Sequence, residues 1–543
     1  MTAVPAKQVS NEKVLLGDEA VATGALDAGI SAAYSYPGTP ATEIAEYLVR
    51  HAKKHGRPHA SWTTNEKTAY EEALGASMVG RRALVSMKHV GLNVAADPFM
   101  NSAIIAINGG LVVAVADDPG MHSSQNEQDT RYFADFAHTI CLEPATQQQA
   151  YDMTREGFDL SERFQVPVVI RLVTRLAHSR AVVQVKPPRP ENDLRKAPDP
   201  SKWILLPGNA RKGWQALLDR LPDIREYTET CVHNVLTLNA DDRTLGVITT
   251  GTARNYFLEC AGQLKTMPSH LHVGAYPLPV QKIRKLLDHV ERVLVIEEGY
   301  PLLEGQLRGL LPEIKPIAGK LSGELPLAGE LNTDLVRKAL GLSERTATVL
   351  TTLPLPGRPP QLCSGCPHQD SFKALKDVLK GFDHSLVSAD IGCYTLGALP
   401  PYEAIESCVC MGASVGLAKG AAEAGFHPAV AVIGDSTFLH SGVTPLMDAV
   451  AADANMTLLI LDNGTVGMTG GQPTMLSSSG IEKLVLGTGV KPEHFKVIEA
   501  HPKKTEQMAE VIRKEIDHRG LSVIIMVREC LETARRSKKK VAS

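Results

Sequence analysis

Asp435 and Asn463 stand 28 residues apart, in Gly434-Asp435-Ser436 and Asp462-Asn463-Gly464, and each follows an apolar run, AVAVIG or TLLILD. That spacing is one strand–helix–strand crossover, which brings both side chains to the same sheet edge, where ligands collect in parallel sheets. A carboxylate and an amide carbonyl are hard oxygen donors that suit Mg²⁺, and Mg²⁺ in turn bridges phosphate oxygens. Gly434 lets the backbone come close to a diphosphate, with Ser436 next in the turn. Gly464 permits a sharp turn that points the Thr465 carbonyl back at the metal. Taken alone, Asp and Asn also favour ordinary turns.

The cysteines add a second chemistry. There are nine, an odd number in a long chain, which argues against a disulfide framework. Cys363-Ser-Gly-Cys366 is followed by Cys393, 27 residues on, and by Cys530 just past the last apolar run. Four thiolates can hold a [4Fe–4S] cluster or a structural Zn²⁺. The CxxC alone also suits a redox dithiol, and Cys393 and Cys530 also suit buried apolar positions. Cys408 and Cys410 read as packing residues at a helix start, with Cys408 an alternative ligand. Cys141, Cys231 and Cys260 read as core.

These residues need a scaffold. Apolar runs at 83–87, 111–117, 167–171, 245–250, 292–298, 429–434, 457–462 and 521–527 suit strands buried on both faces, and Ala-rich or amphipathic segments lie between them. Such alternation predicts parallel sheets wrapped by helices. Two proline-rich stretches, Lys186–Trp203 and Leu353–Pro360, read as linkers. The expected organisation is an α/β chain of three doubly wound parallel-sheet domains at 1–190, 204–350 and 358–543. The basic stretch Arg535–Lys540 reads as a solvated terminus.

Composition narrows the function. Lys and Arg total 57 against 60 Asp and Glu, and aromatics are 5%, which argues against a nucleic-acid binder. No apolar run approaches the ~20 residues of a membrane span, and the N-terminus lacks a signal peptide's apolar core. A cytoplasmic protein is the expectation.

CSGCPH, DIGCYTLGALPP, CMGASVGLAKG, GDSTFLHSG and LDNGTVGMTGGQP occur in that order in the last third. SYPGTPATEIAE, TTNEKTAYEEALGAS and SMKHVGLNVAADPF occur in the first third. Together they resemble the 2-oxoacid:ferredoxin oxidoreductases, and among these the indolepyruvate:ferredoxin oxidoreductase α subunits, over nearly the whole chain. The Gly-Asp-Ser…Asn pair resembles a thiamin-diphosphate signature. The resemblance implies that 1–190 is a pyrimidine-binding and 358–543 a diphosphate-binding thiamin domain, with 204–350 similar to the transketolase C-terminal domain.

The resemblance also assigns roles. Glu66 would meet the aminopyrimidine of thiamin diphosphate, a task that needs a carboxyl shielded from water. Thr39 would face substrate. Lys88 and His89, with Asn93 nearby, would hold the carboxylate of a 2-oxoacid. Gly434, Asp435, Ser436, Asn463 and Thr465 would bind the diphosphate, the metal being held by Asp435, Asn463 and Thr465, and Cys363, Cys366, Cys393 and Cys530 would carry the [4Fe–4S] cluster. His122–Asp129 reads equally as an active-site loop and as a plain surface loop, and His368 and His440 sit near the motifs. The implied reaction is oxidative decarboxylation of an aryl 2-oxoacid such as indolepyruvate to an acyl-CoA.

The implied partners are a smaller β subunit, coenzyme A, and ferredoxin or another electron-carrier subunit, around a homodimeric core. The sequence shows no CxxCxxCxxxCP run of the kind that usually ends such α subunits, so the outer electron carrier is expected to be missing or to sit on another subunit. A non-oxidative thiamin-dependent 2-oxoacid decarboxylase or acyl-transferring lyase would keep Glu66, Asp435 and Asn463 but need no cluster. A non-catalytic scaffold subunit would need neither cofactor.

Overall fold

The computed structural model describes residues 11–310, 316–343, 361–408, 410–423 and 425–541. The expected linker Leu353–Pro360 lies outside the described residues. Two compact units are present, residues 1–349 and 350–543.

The first unit holds two main sheets. In the larger, the strands run in the order Ala275–Tyr276, Ile140–Leu142, Val168–Val173, Leu111–Asp117, Ala83–Lys88, Ala32–Ser35 and His59–Trp62. All pairs are parallel except the edge pair Ala275–Tyr276 with Ile140–Leu142. The three central strands are buried along their whole length. That is why their sequences run apolar instead of alternating: both faces are covered by helices. The second sheet runs Ile317–Ala318, Arg292–Ile296, Leu245–Thr250, Ser269–Val273 and Val235–Thr237, parallel but for the last strand.

Residues 186–203 lie between the sheets in sequence, yet they are no free spacer. Arg189 N donates to Asp27 O, Arg195 N to Val79 O and Ala197 N to Met78 O. Glu191 pairs with Arg57 and Arg81. One apolar cluster runs from Leu15 to Leu307 and takes in residues of both sheets. Two fully buried arginines tie the sheets further: Arg171, paired with Asp117 at 2.6 Å and Glu143 at 2.5 Å, donates to Glu298 O at 3.1 Å, and Arg131 meets Asp129 at 2.5 Å and Glu297 at 3.0 Å. Buried charges persist only when paired in this way.

The second unit is built on an all-parallel sheet in the order Leu386–Ala389, Ala429–Gly434, Thr457–Asp462, Ser522–Val527 and Phe495–Glu499. The expected terminal basic stretch is part of a helix, Leu531–Val541, in which Arg535 pairs with Glu532 and Arg536 donates to Gly470 O. Cys408 and Cys410 are exposed and precede the helix Ala413–Glu423, so they do not pack at its start. Cys141 and Cys260 are buried and Cys231 is partly so. No helix among the described residues is long and apolar enough to cross a membrane.

Candidate active site

In the second unit, Asp435 follows the strand Ala429–Gly434 directly and opens the helix beyond it. Its carboxylate accepts from Ser436 N at 2.7 Å, Gly464 N at 2.7 Å and Asn463 N at 3.2 Å. The Asp-Ser and Asn-Gly turns are therefore one assembly. Burial, then the charge of Asp462, pushes the Asp435 carboxyl up to about 7. One carboxylate oxygen of Asp462 is buried without a hydrogen-bond partner. Two facing acids, one with an unmet oxygen, suit a divalent cation.

Asn463 Oδ1 accepts from Thr465 N at 3.1 Å, and Gly464 takes φ +72°, a conformation glycine adopts without strain. Thr465 pairs across a two-residue ribbon with Pro473, which has no N–H to give the Thr465 carbonyl. Gly434 has a packing reason of its own, since a Cβ there would come 2.8 Å from the ring of Tyr394. Tyr394 is buried and donates its hydroxyl to Asp390, whose carboxyl burial lifts to about 6. His368 is buried and its pKa is driven down to about 4, so the neutral ring offers Nε2 to Asn463 Nδ2 at 3.2 Å.

The four cysteines meet this assembly. Cys530 N donates to Asn463 O at 3.1 Å, and Cys366 N to Cys363 O at 3.0 Å. A Cβ on Gly467 would lie 3.0 Å from Cys393 Sγ. Burial, then the other three thiols and Asp435, raises the Cys393 thiol to about 12; burial raises Cys366 to about 11, with Cys363 and Cys530 adding to it. Among the described residues, no three of these sulfurs lie within 4.8 Å of one another. His440 Nδ1 is 2.5 Å from Ser441 Oγ, in a single π-helical turn, Phe438–Gly442, within the helical run that starts at Asp435.

In the first unit, Glu66 is buried at the start of the helix Glu66–Met78, which Asn65 caps by accepting from Thr68 N. Its carboxyl lies on Gly91, where a Cβ would come within 2.6 Å of Glu66 Oε1. Lys88, last in its strand, is buried, and its ammonium donates to Ser123 O at 2.6 Å. Burial lowers its pKa to about 8, with Asp118 working the other way. Ser123 Oγ donates in turn to Thr39 O at 3.0 Å, so the Thr39 turn and the 122–129 loop meet at Lys88. His89 is 1% exposed; its Nε2 stands 3.3 Å from Asn126 O, and its Nδ1 is buried with no hydrogen-bond partner. Asn93 points to solvent.

Sequence reasoning missed the supports. Asp118 accepts from Ser123, Ser124 and Thr174 and shapes the loop over Lys88. Asp390, Tyr394 and the second acid, Asp462, were equally unforeseen as site residues. The only signal for Asp462 was its place beside Asn463.

Residues 23–208 match the family described as "Pyruvate flavodoxin/ferredoxin oxidoreductase, thiamine diP-bdg". Residues 390–526 match "Thiamine pyrophosphate enzyme, C-terminal TPP binding domain". Indolepyruvate oxidoreductase subunit IorA of Archaeoglobus fulgidus is 38% identical over 99% of this chain and 90% of its own length. The IorA subunit of Methanothermobacter thermautotrophicus is 36% identical over 95% of this chain and 86% of its own. A solved 2-oxoglutarate:ferredoxin oxidoreductase from Magnetococcus marinus aligns over 63% of this chain and 68% of that one, with TM-score 0.49 and 16% identity. With matches to two thiamin-binding domain families and relatives 36–38% identical over 95–99% of its length, the chain belongs to the IorA family of indolepyruvate:ferredoxin oxidoreductase α subunits.

Proposed function

We propose that this chain is the α subunit of an enzyme that oxidatively decarboxylates an aryl 2-oxoacid of the indolepyruvate kind to its acyl-CoA, with a smaller β subunit and a ferredoxin-like electron carrier as partners. The carrying observation is the shared backbone of the Asp435–Asn463 turn and the cysteine set: Cys530 is bonded to Asn463, and Cys393 lies close enough to Asp435 to feel its charge. A cofactor site and an electron exit would then be neighbours. The name carried by the relatives, indolepyruvate oxidoreductase, supports the substrate class.

The residues fit the groups the family implies. Asp435, Asn463 Oδ1 and the Thr465 carbonyl would hold Mg²⁺ and through it the diphosphate. Glu66 would hydrogen-bond the aminopyrimidine, its burial keeping water from competing. Thiamin diphosphate, when bound, supplies a nucleophilic carbon for the keto group and a sink for the electron pair released with CO₂. Lys88, cationic at neutral pH, would take the substrate carboxylate, and the 122–129 loop would shield it from solvent. Cys363, Cys366, Cys393 and Cys530 would hold a [4Fe–4S] cluster.

The test is anaerobic purification of the native complex. Expected are about four irons per chain, visible absorption that bleaches on adding indolepyruvate, and dye reduction that requires coenzyme A. A colourless, iron-free protein that releases aldehyde without an acceptor would overturn the oxidative reading and favour a simple decarboxylase.

A further inference from the structure

Three helix ends of the first unit meet around a group of side chains that the thiamin chemistry does not use. Asp18 is the second residue of the helix Gly17–Asp27, Glu43 the second of Thr42–His55, and His178 the last of Thr174–His178. One ligand atom from each lies within 4.8 Å of the other two, and among the described residues this is the one such group of three. Asp18 is completely buried, and neither of its carboxylate oxygens receives a hydrogen bond from an N–H or hydroxyl group. What faces it is another acid: burial, then the charge of Glu43 and a carboxyl–carboxyl contact with it, then the charge of Glu19, pushes its carboxyl well above the usual range.

An acid at a helix start is ordinarily explained by the helix dipole and exposed amides. That explanation leaves this one short, because the Asp18 oxygens accept from no amide at all. The approach is also built in. A Cβ on Gly17 would sit 2.2 Å from the carbonyl oxygen of Leu176, so only glycine lets the helix bearing His178 come this near.

The donors suit a metal. His178 Nε2 is 3.4 Å from Glu43 Oε2. A tetrahedral zinc with bonds of about 2.0–2.1 Å has ligand edges of about 3.3–3.4 Å, so that pair already stands at the required separation. The side chains of His178 and Glu43 are each 35% exposed, which leaves a way in for the ion and a place for water.

We propose that Asp18, Glu43 and His178 form a divalent-cation site of the zinc type, distinct in its ligands from the Mg²⁺ site assigned to Asp435. A cation there would fasten the start of Thr42–His55, and with it the turn that carries Thr39, to the helix Thr174–His178. The proposal does not depend on the reaction assigned to the chain.

The test uses the full chain, stripped with chelator and titrated with Zn²⁺ by equilibrium dialysis, beside Asp18→Asn and His178→Gln. The cysteines also take zinc, so the quantity read is the difference between wild type and variant. Each variant should bind a single zinc fewer per chain and should lose a zinc-dependent rise in Tm that the wild type shows. Binding to the wild type should release protons, because Asp18 must ionise. Equal zinc stoichiometry in all three proteins would overturn the proposal and leave the two acids sharing a proton. His178→Gln, at a partly exposed position, keeps the test decisive if Asp18→Asn folds poorly.

Discussion

The backbone amide of Cys530 donates to the carbonyl of Asn463 across 3.1 Å. This bond joins the segment after the last parallel strand to the turn after a neighbouring one. It makes no use of the Cys530 thiol, so the thiol's role can be separated from the backbone's. Cys530→Ser keeps the amide. The expected result is a fall from about four irons per chain to a minor fraction, with little change in thiamin-diphosphate binding by calorimetry. Full iron content in the variant would remove Cys530 from the ligand set.

Burial, then the charge of Asp462, pushes the Asp435 carboxyl up to about 7. Its folded pKa is raised, so the stability linked to its proton is complete below about pH 4 and is lost as pH rises through 7. Metal-free protein should therefore gain Tm on moving from pH 8 to pH 5.5, by about 2–4 °C for each kcal/mol involved. Asp435→Asn should lose that part of the pH dependence and be the more stable of the two at pH 8. Cation binding must displace the same proton, so Mg²⁺-dependent cofactor affinity should fall about tenfold per pH unit below 7. Calorimetry at pH 6, 7 and 8 checks it, and a flat profile would place the cation elsewhere.

How much of this was visible in the sequence depends on the range of each contact. The Asp435 and Asn463 turns were legible because residue type and strand ends place them locally. The partner that orients the Asn463 amide, His368, lies 95 residues away in sequence, and no periodicity reports such a pairing. Residues 186–203 were read as a linker because proline density signals the lack of helix and strand. It says nothing of attachment, and here the segment is bonded to Asp27, Met78 and Val79. The buried Arg131 gave no signal either, since its partner Glu297 is 166 residues distant and a lone charge in sequence reads as surface.

His368 acts on the proposed metal ligand through Asn463 Nδ2. Its neutral ring, with a pKa near 4, keeps the Asn463 side chain oriented throughout the physiological range. His368→Ala should raise the Mg²⁺ concentration needed for half-maximal activity by about 10–100-fold, the usual cost of losing an outer-shell contact. Turnover at saturating Mg²⁺ should change far less, and a loss confined to turnover would contradict the positioning role.

Lys88 has its pKa lowered to about 8. The ammonium is the charged form, so it is present below pH 8 and lost above it. If it holds the substrate carboxylate, KM for the 2-oxoacid should be level below pH 8 and rise about tenfold per unit above it. Lys88→Met should raise KM at every pH. Lys88→Arg, charged throughout, should remove the pH dependence. Steady-state assays from pH 6.5 to 9.5 separate KM from kcat, and a rise in KM that persists in Lys88→Arg would exclude this lysine.

Glu66 and Gly91 provide a paired test of the carboxyl's position as well as its charge. Glu66→Gln keeps the shape and removes the acid. It should lower kcat by about 10²–10⁴, the usual range for a proton-transfer group, while leaving cofactor binding measurable. Gly91→Ala leaves the acid intact but places a Cβ 2.6 Å from its oxygen. In a helix, Gly to Ala ordinarily stabilises by about 1 kcal/mol. Here the contact should reverse that sign, lowering both Tm and kcat. A Gly91→Ala protein of higher Tm and normal turnover would mean that Glu66 is free to move aside, and that its placement against Gly91 is not what the chemistry requires.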